Sequence, residues 1–265
     1  MGFSGSVYYF GRNIINSLHR ALLISPKKAF RKARGGIIAA TDGIRRELLR
    51  CYGEESDVIC EIGPPPIIAN NYIKRISGEP LRLSWSGQHL PGKALPLLLK
   101  ALFLLPAEIK WTLDILGKGP STEKWKSLAA SLNVNINCTW HGLLARDKAI
   151  EVMHNSHIFV ITSLKDLTST VLLESLSQGV PVICPDHCGF SNVVNDDCGI
   201  KVPVYSPRQL SRDLATAIIR LAEDEEERRR LAQGALKRIV DYSWQKKAEA
   251  INSIYERVLT ERSRS

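Results

Sequence analysis

Four loops in this 265-residue chain carry residue types suited to holding an anionic substrate. The first is Ser86-Gly87-Gln88-His89-Leu90-Pro91-Gly92-Lys93. Its glycines permit close backbone approach, and Lys93 opens a helix beside the place a phosphate would take. Taken alone, that lysine could equally be a solvated helix-start charge. The second, Leu116-Gly117-Lys118-Gly119-Pro120, is a strand end turning into a helix. Pro120 and Thr122 break the glycine fingerprint of dinucleotide folds, and a tight turn uses glycine whether or not a ligand is present.

The third loop, Ser163 to Glu174, is the most informative. Asp166 lies in the loop and Glu174 a little over one turn into the next helix. At about 1.5 Å rise per residue, the two carboxylates bracket the N–H groups of Thr168, Ser169 and Thr170. A diphosphate docked there would have one carboxylate at each end, one for a ribose diol and one for a sugar hydroxyl. Singly, Asp166 is an ordinary helix-start charge and Glu174 a buried salt-bridge partner. The fourth loop follows Gly179-Val180-Pro181-Val182-Ile183-Cys184 and contains His187, Cys188 and Gly189. A structural zinc normally needs four well-spaced ligands, so this segment reads as a strand leaving the core and a polar loop, with no metal.

The elements that must position these loops are legible from periodicity. Apolar strand candidates at 81–86, 111–116, 136–140, 157–162, 180–184 and 199–202 alternate with helices near 93–104, 121–132, 146–155 and 169–178. That alternation implies βαβ crossovers and an α/β fold: a Rossmann-like parallel sheet with helices on both faces. In such sheets ligands bind at the carboxyl ends of the strands. Segments 206–222 and 224–240 are helical by period, and the acidic run Asp224–Glu227 suits the helix dipole at the start of the second. A last helix spans about Trp244 to Leu259. Upstream, 37–63 reads as strand, helix, strand: an apolar run Ile37–Ala40, a helix capped by Thr41 or Asp42 and ended by Gly53, and a strand Val58–Ile62. Pro64-Pro65-Pro66 then forms a stiff linker. The organisation expected is 1–63 as a partial N-terminal α/β domain, 64–80 as linker, 81–243 as the main domain and 244–265 as helix and tail.

Composition is that of a globular protein, with 44% hydrophobic and 24% charged residues. No stretch reaches the roughly 18–20 uninterrupted apolar residues of a membrane span, and Arg12, Asn13, Asn16, His19 and Arg20 interrupt any signal peptide. The expectation is a cytoplasmic protein whose six cysteines are reduced. A formal charge of +9 favours anionic partners. Ile14, Ile15, Leu18, Ala21 and Leu22 recur at helical spacing ahead of Lys27, Lys28, Arg31, Lys32 and Arg34. That segment is either a basic amphipathic helix lying on an anionic membrane surface or a core helix with a solvated basic face. Met1-Gly2 with Ser6 also fits the short myristoylation pattern. Nucleic acid is not an expected partner, because no basic stripe is interleaved with aromatics.

Together and in this order, the loops resemble glycosyltransferase family 4, a group of GT-B enzymes that use nucleotide-sugar donors. The likeness covers about 81–259. Leu81–Leu102 is similar to the family's strand, Gly-Arg, Lys-Gly, helix signature, and Leu116–Pro120 to its Gly-x-Gly-Pro turn. Asp166 and Glu174 occupy its two acidic positions, Glu174–Val182 follows its Glu-Ala-x-Ala-x-Gly-x-Pro-Val run, and Tyr242-Ser243-Trp244 and Ile254-Tyr255 look like its C-terminal hallmarks. The resemblance implies that Lys93 pairs with the donor phosphates, Glu174 holds the ribose hydroxyls and Asp166 contacts the transferred sugar. It also places the N–H groups of Thr168, Ser169 and Thr170 on the distal phosphate. Gly142-Leu143-Leu144 would lie against the base, with Gly87, Gln88, Gly117 and Gly119 lining the donor. The donor would be a UDP- or GDP-linked sugar, used as substrate without a metal or other cofactor, with retention of configuration and an acceptor left open.

Two positions depart from the family pattern. Gln88 stands where arginine is usual, removing a bidentate cation that a lysine does not replace. Asp166 replaces the commoner glutamate and shortens its reach. The resemblance further implies that 1–63 is a remnant of the acceptor-side domain, most of which is absent. The alternatives are a non-catalytic nucleotide-sugar-binding module and a GT-B nucleotide-sugar epimerase, which would need both domains.

Overall fold

A computed structural model of the chain describes Ala33 and residues 36–61, 63–64, 72–76, 78–167 and 169–263. Gly2, the basic segment from Arg12 through Lys32 with Arg34, the prolines 65 and 66, and Thr168 lie outside these described residues. The chain divides into two compact units, one from Glu61 to Trp244 and a smaller one made of residues up to Cys60 and from Gln245 onward.

In the smaller unit, β1 (Ile38–Ala39) pairs in parallel with β2 (Asp57–Val58) across α1 (Asp42–Tyr52). The local signals act as their chemistry dictates. The Thr41 hydroxyl accepts the Ile44 N–H at 3.2 Å, and Gly53 ends the helix in the left-handed conformation at φ 71°. The strand expected over 58–62 is only two residues long. Its partner ends at Ala39, where the chain turns into α1, and Ile59 adds one last bond to the Ala39 carbonyl at 2.9 Å.

Among its described residues the larger unit holds six parallel strands: β3 (Leu81–Ser86), β4 (Trp111–Leu116), β5 (Cys138–Gly142), β6 (Ile158–Val160), β7 (Val182–Pro185) and β8 (Gly199–Val202). Their order is β5-β4-β3-β6-β7-β8. The chain starts at the centre, builds outward to β5, then returns to β6 and builds the other way. The reversal between β3 and β6 opens a crevice at the carboxyl ends of those two strands. Between the strands run α2 (Leu95–Phe103), α3 (Thr122–Ser131), α4 (Arg146–His154), α5 (Thr170–Ser177) and the short α6 (Phe190–Val193), followed by α7 (Pro207–Glu223) and α8 (Glu225–Ile239). Helix α2 packs on α3 and α7, while α5 packs on α4 and α8, so both faces of the sheet are covered. Accordingly Ile158, Phe159 and Val160 of β6 are all buried, as are Leu81, Leu83 and Trp85 of β3. This is the Rossmann-like α/β architecture expected from the alternation of strands and helices. The final helix, α9 (Trp244–Ser263), returns the chain to the smaller unit. No helix among the described residues is long and apolar enough to cross a membrane.

Strands expected at 157–162 and 180–184 span Ile158–Val160 and Val182–Pro185, and two further boundaries shift for identifiable reasons. The helix expected to open at Lys93 begins at Leu95, because Pro91–Lys93 form a 3-10 turn and Ala94 sits in the left-handed region at φ 52°. The strand expected at 136–140 begins at Cys138. Asn133 at φ 56° and a 3-10 turn over Asn135–Asn137 delay its entry into the sheet.

Candidate functional site

The loops leaving β3, β4 and β5 are zipped together by main-chain hydrogen bonds. Gly87 donates to the Leu116 carbonyl at 3.1 Å, His89 to Lys118 at 3.1 Å, and Gly117 to Gly142 at 2.7 Å. Contact this close requires glycine. At Gly117, whose φ is 106°, a Cβ would stand 2.1 Å from the Gly87 carbonyl oxygen, and at Gly119 one would stand 2.7 Å from that of His89. A pocket of about 580 Å³ opens over this main-chain floor. Gly87, Gln88, Gly117, Gly119, Leu143 and Leu144, all singled out from the sequence, line it, and Lys118 and Ala149 join them.

Beneath the floor lies an aromatic cluster that local sequence gave no sign of. The His89 ring is buried, 5.0 Å from Trp125, 5.7 Å from Trp85 and 5.8 Å from Trp140. Its Nδ1 shares a 2.7 Å hydrogen bond with the Thr122 hydroxyl, which also donates to the Gly119 carbonyl at 2.8 Å. Burial lowers the His89 pKa. The cluster therefore ties the first loop to the start of α3.

Across the crevice, the loops after β3 and β6 are locked by a second set of bonds. Trp85 Nε1 donates to the Thr162 hydroxyl at 2.9 Å, Thr162 donates to the Lys93 carbonyl at 2.7 Å, and the Leu164 N–H reaches the Gly92 carbonyl at 2.9 Å. Lys93 is thus fixed at its main chain, and its ammonium forms an ion pair with Asp166. The pair adjoins the pocket, since a Cβ built at Gly87 would lie 3.7 Å from Lys93 Cδ.

Asp166 is held from two further sides. Its Oδ1 accepts the Leu167 N–H at 3.2 Å, and its own N–H points at Cys188 Sγ, 3.4 Å away. Cys188 adopts a left-handed φ of 57°, and the adjoining Gly189 N–H bonds the Leu167 carbonyl at 2.9 Å. Burial raises the Cys188 thiol pKa. Cys188 belongs to the acidic loop's scaffold, a role its spacing from Cys184 did not suggest.

Helix α5 follows. Thr168 is outside the described residues, while Ser169 and Thr170 have committed hydroxyls. Ser169 caps the helix by accepting the Leu172 N–H at 3.3 Å, and Thr170 donates to Glu61 at 2.6 Å. What this end offers a ligand is backbone, because a helix leaves its first N–H groups without intrahelical acceptors. Glu174 lies one turn further in, with its side chain nearly buried, and its Oε1 meets Arg146 Nε at 2.9 Å. Arg146 opens α4 directly after the loop carrying Leu143 and Leu144. It was not singled out from sequence, since a charged residue in a first helical turn is ordinary. The site thus contains a mainly main-chain pocket, an adjoining Lys93–Asp166 pair, a helix N-terminus, and a buried carboxylate paired with arginine.

The model for glycosyl transferases group 1 matches residues 73–238. Among curated proteins, the D-inositol 3-phosphate glycosyltransferase of Kineococcus radiotolerans is 24% identical over 262 residues, covering 88% of this chain and 59% of that protein. Among solved structures, the pneumococcal O-GlcNAc transferase GtfA, in complex with UDP and GlcNAc, aligns with TM-score 0.68 at 16% identity. That alignment covers 84% of this chain and 45% of GtfA. The apo form of the lipopolysaccharide outer core galactosyltransferase WaaB aligns with TM-score 0.68 at 18% identity, covering 85% of this chain and 61% of WaaB. The chain spans less than two thirds of each of these three proteins. The family match extends over more than half of the chain and over every loop of the site, and the chain belongs to the glycosyl transferases group 1 family.

Proposed function

We propose that this chain is the donor-binding half of a retaining glycosyltransferase that takes a UDP- or GDP-linked sugar. One observation carries the reading. Six of the nine residues expected to bind the donor line one pocket, and that pocket adjoins the Lys93–Asp166 pair. The base lies in the pocket against Leu143 and Leu144, and Glu174 takes the ribose hydroxyls. Lys93 and the N–H groups at the start of α5 take the diphosphate, and Asp166 faces the transferred sugar. As the glycosidic bond breaks, negative charge grows on the departing diphosphate. A fixed lysine and a helix N-terminus stabilise that charge more in the transition state than in the ground state.

Calorimetric titration with UDP, GDP and ADP tests the reading. Binding of one nucleotide supports it, and a folded protein that binds none of them overturns it. A second reading, a nucleotide-sugar-binding module without turnover, is favoured by Gln88 standing where the family usually has arginine. Incubation with the preferred nucleotide's sugar conjugates and candidate acceptors separates the two: release of free nucleotide marks the enzyme, and tight binding without release marks the module.

A further inference from the structure

We infer that Arg146 is a positioning residue for donor binding, holding the Glu174 carboxylate in the orientation that grips the ribose diol. This rests on the nucleotide-sugar reading above. Glu174 lies on α5 among Leu172, Leu173, Ser175 and Leu176, all buried, with 8% of its own surface exposed. Arg146 Nε reaches its Oε1 at 2.9 Å. The arginine side chain is 63% exposed, so the ion pair rather than packing draws it over the carboxylate. Its attachment point is equally informative. Arg146 follows Leu144 by two residues and precedes Ala149 by three, and both of those line the pocket. A single segment therefore supplies a pocket wall and the cation on the buried acid.

A glutamate reaching a diol from a helix has three rotatable bonds to settle. A charge-assisted bond to one oxygen fixes the carboxylate plane and leaves Oε2 for a hydroxyl. The ordering cost is then met before the ligand arrives. Arg146 acts through Glu174, by the bond to its Oε1.

The test is calorimetric titration of wild type, R146A, R146Q and R146K with the preferred nucleoside diphosphate and with its 2′-deoxy analogue. Wild type is expected to favour the ribonucleotide by about tenfold, the strength of one hydroxyl bonded to a charged group. R146A and R146Q should lose most of that preference while holding the deoxy analogue as before, and R146K should restore part of it. Thermal melts without ligand check that the variants fold, with R146Q carrying the test if R146A does not. Undiminished ribose preference in R146A and R146Q overturns the inference. So does an equal loss for both ligands, which would mean that the arginine touches diphosphate or base itself. A wild type that binds nucleotide without distinguishing the deoxy form overturns it and leaves nucleotide binding standing. A wild type that binds no nucleotide overturns the proposed function as well.

Discussion

Lys93 and Asp166, 73 residues apart in the chain, meet as an ion pair across the crevice between β3 and β6. Lys93 is therefore paired with an anion, and on the proposed function a donor's diphosphate must share or displace it. Replacing Asp166 by asparagine removes this competitor. The D166N variant should bind the preferred nucleoside diphosphate several-fold more tightly and lose turnover. K93A should bind it about tenfold or more weakly, the worth of a charge-assisted contact. Paired titrations and product-release assays check both; a K93A variant that binds like wild type removes lysine from the phosphate site.

The main-chain floor predicts a sharp glycine dependence. In Gly117→Ala, the new methyl would meet the Gly87 carbonyl oxygen at 2.1 Å while the backbone keeps a φ of 106°. Unfolding should become easier by about 1–3 kcal/mol, and nucleotide affinity should fall. Urea melts with parallel titrations measure both. At Gly142, also left-handed at 69°, a Cβ meets nothing within 4 Å, so G142A should be milder.

Cys188 gives a sulfur acceptor to the Asp166 N–H. Serine keeps an acceptor there, whereas alanine, which adds no branching at the left-handed φ of 57°, removes it. C188S should retain donor KM within a few-fold, while C188A should raise it about tenfold. Equal KM values for the two variants would mean the sulfur contact is incidental.

Stability should depend on pH through His157. Its Nδ1 accepts the Arg82 N–H at 2.9 Å. Burial, reinforced by the charges of Arg82, Arg228 and Arg75, lowers its pKa from 6.5 to about 3. Between those values the unfolded chain holds a proton that the folded one does not, so stability rises with pH across this window. Its contribution is complete above about pH 6.5 and lost as pH falls towards 3, at up to ~1.4 kcal/mol per pH unit. Urea melts of wild type and H157N between pH 4.5 and 7.5 should show a shallower slope in the variant.

The elements were legible wherever burial alone sets them. Strands 81–86, 111–116 and 199–202 keep the limits read from the sequence, because the apolar residues that mark them, such as Leu81, Leu83, Trp85, Leu113, Ile115 and Val202, are the ones buried. The helix start near Lys93 was misplaced, since nothing local announces a left-handed alanine. The glycines and Gln88 of the pocket were readable because loops after parallel strands converge at one end of a sheet, and Leu143 and Leu144 only through the family resemblance. Arg146 was not, because its partner Glu174 is brought to it only by packing of α4 on α5. The rings around His89 come from two different strands and a helix, and no window of sequence contains them together.

The zipped loops have a consequence for how such a protein could diversify. Their framework is main chain bonded to main chain, while Gln88, Lys118 and Leu143 point from it as exposed side chains on the pocket rim. Exchanging those three residues alters what the pocket reads without disturbing what holds it open. Mutational drift, or a library confined to these positions, can therefore retune what the pocket accepts, on the proposed function a nucleotide, at little cost to folding.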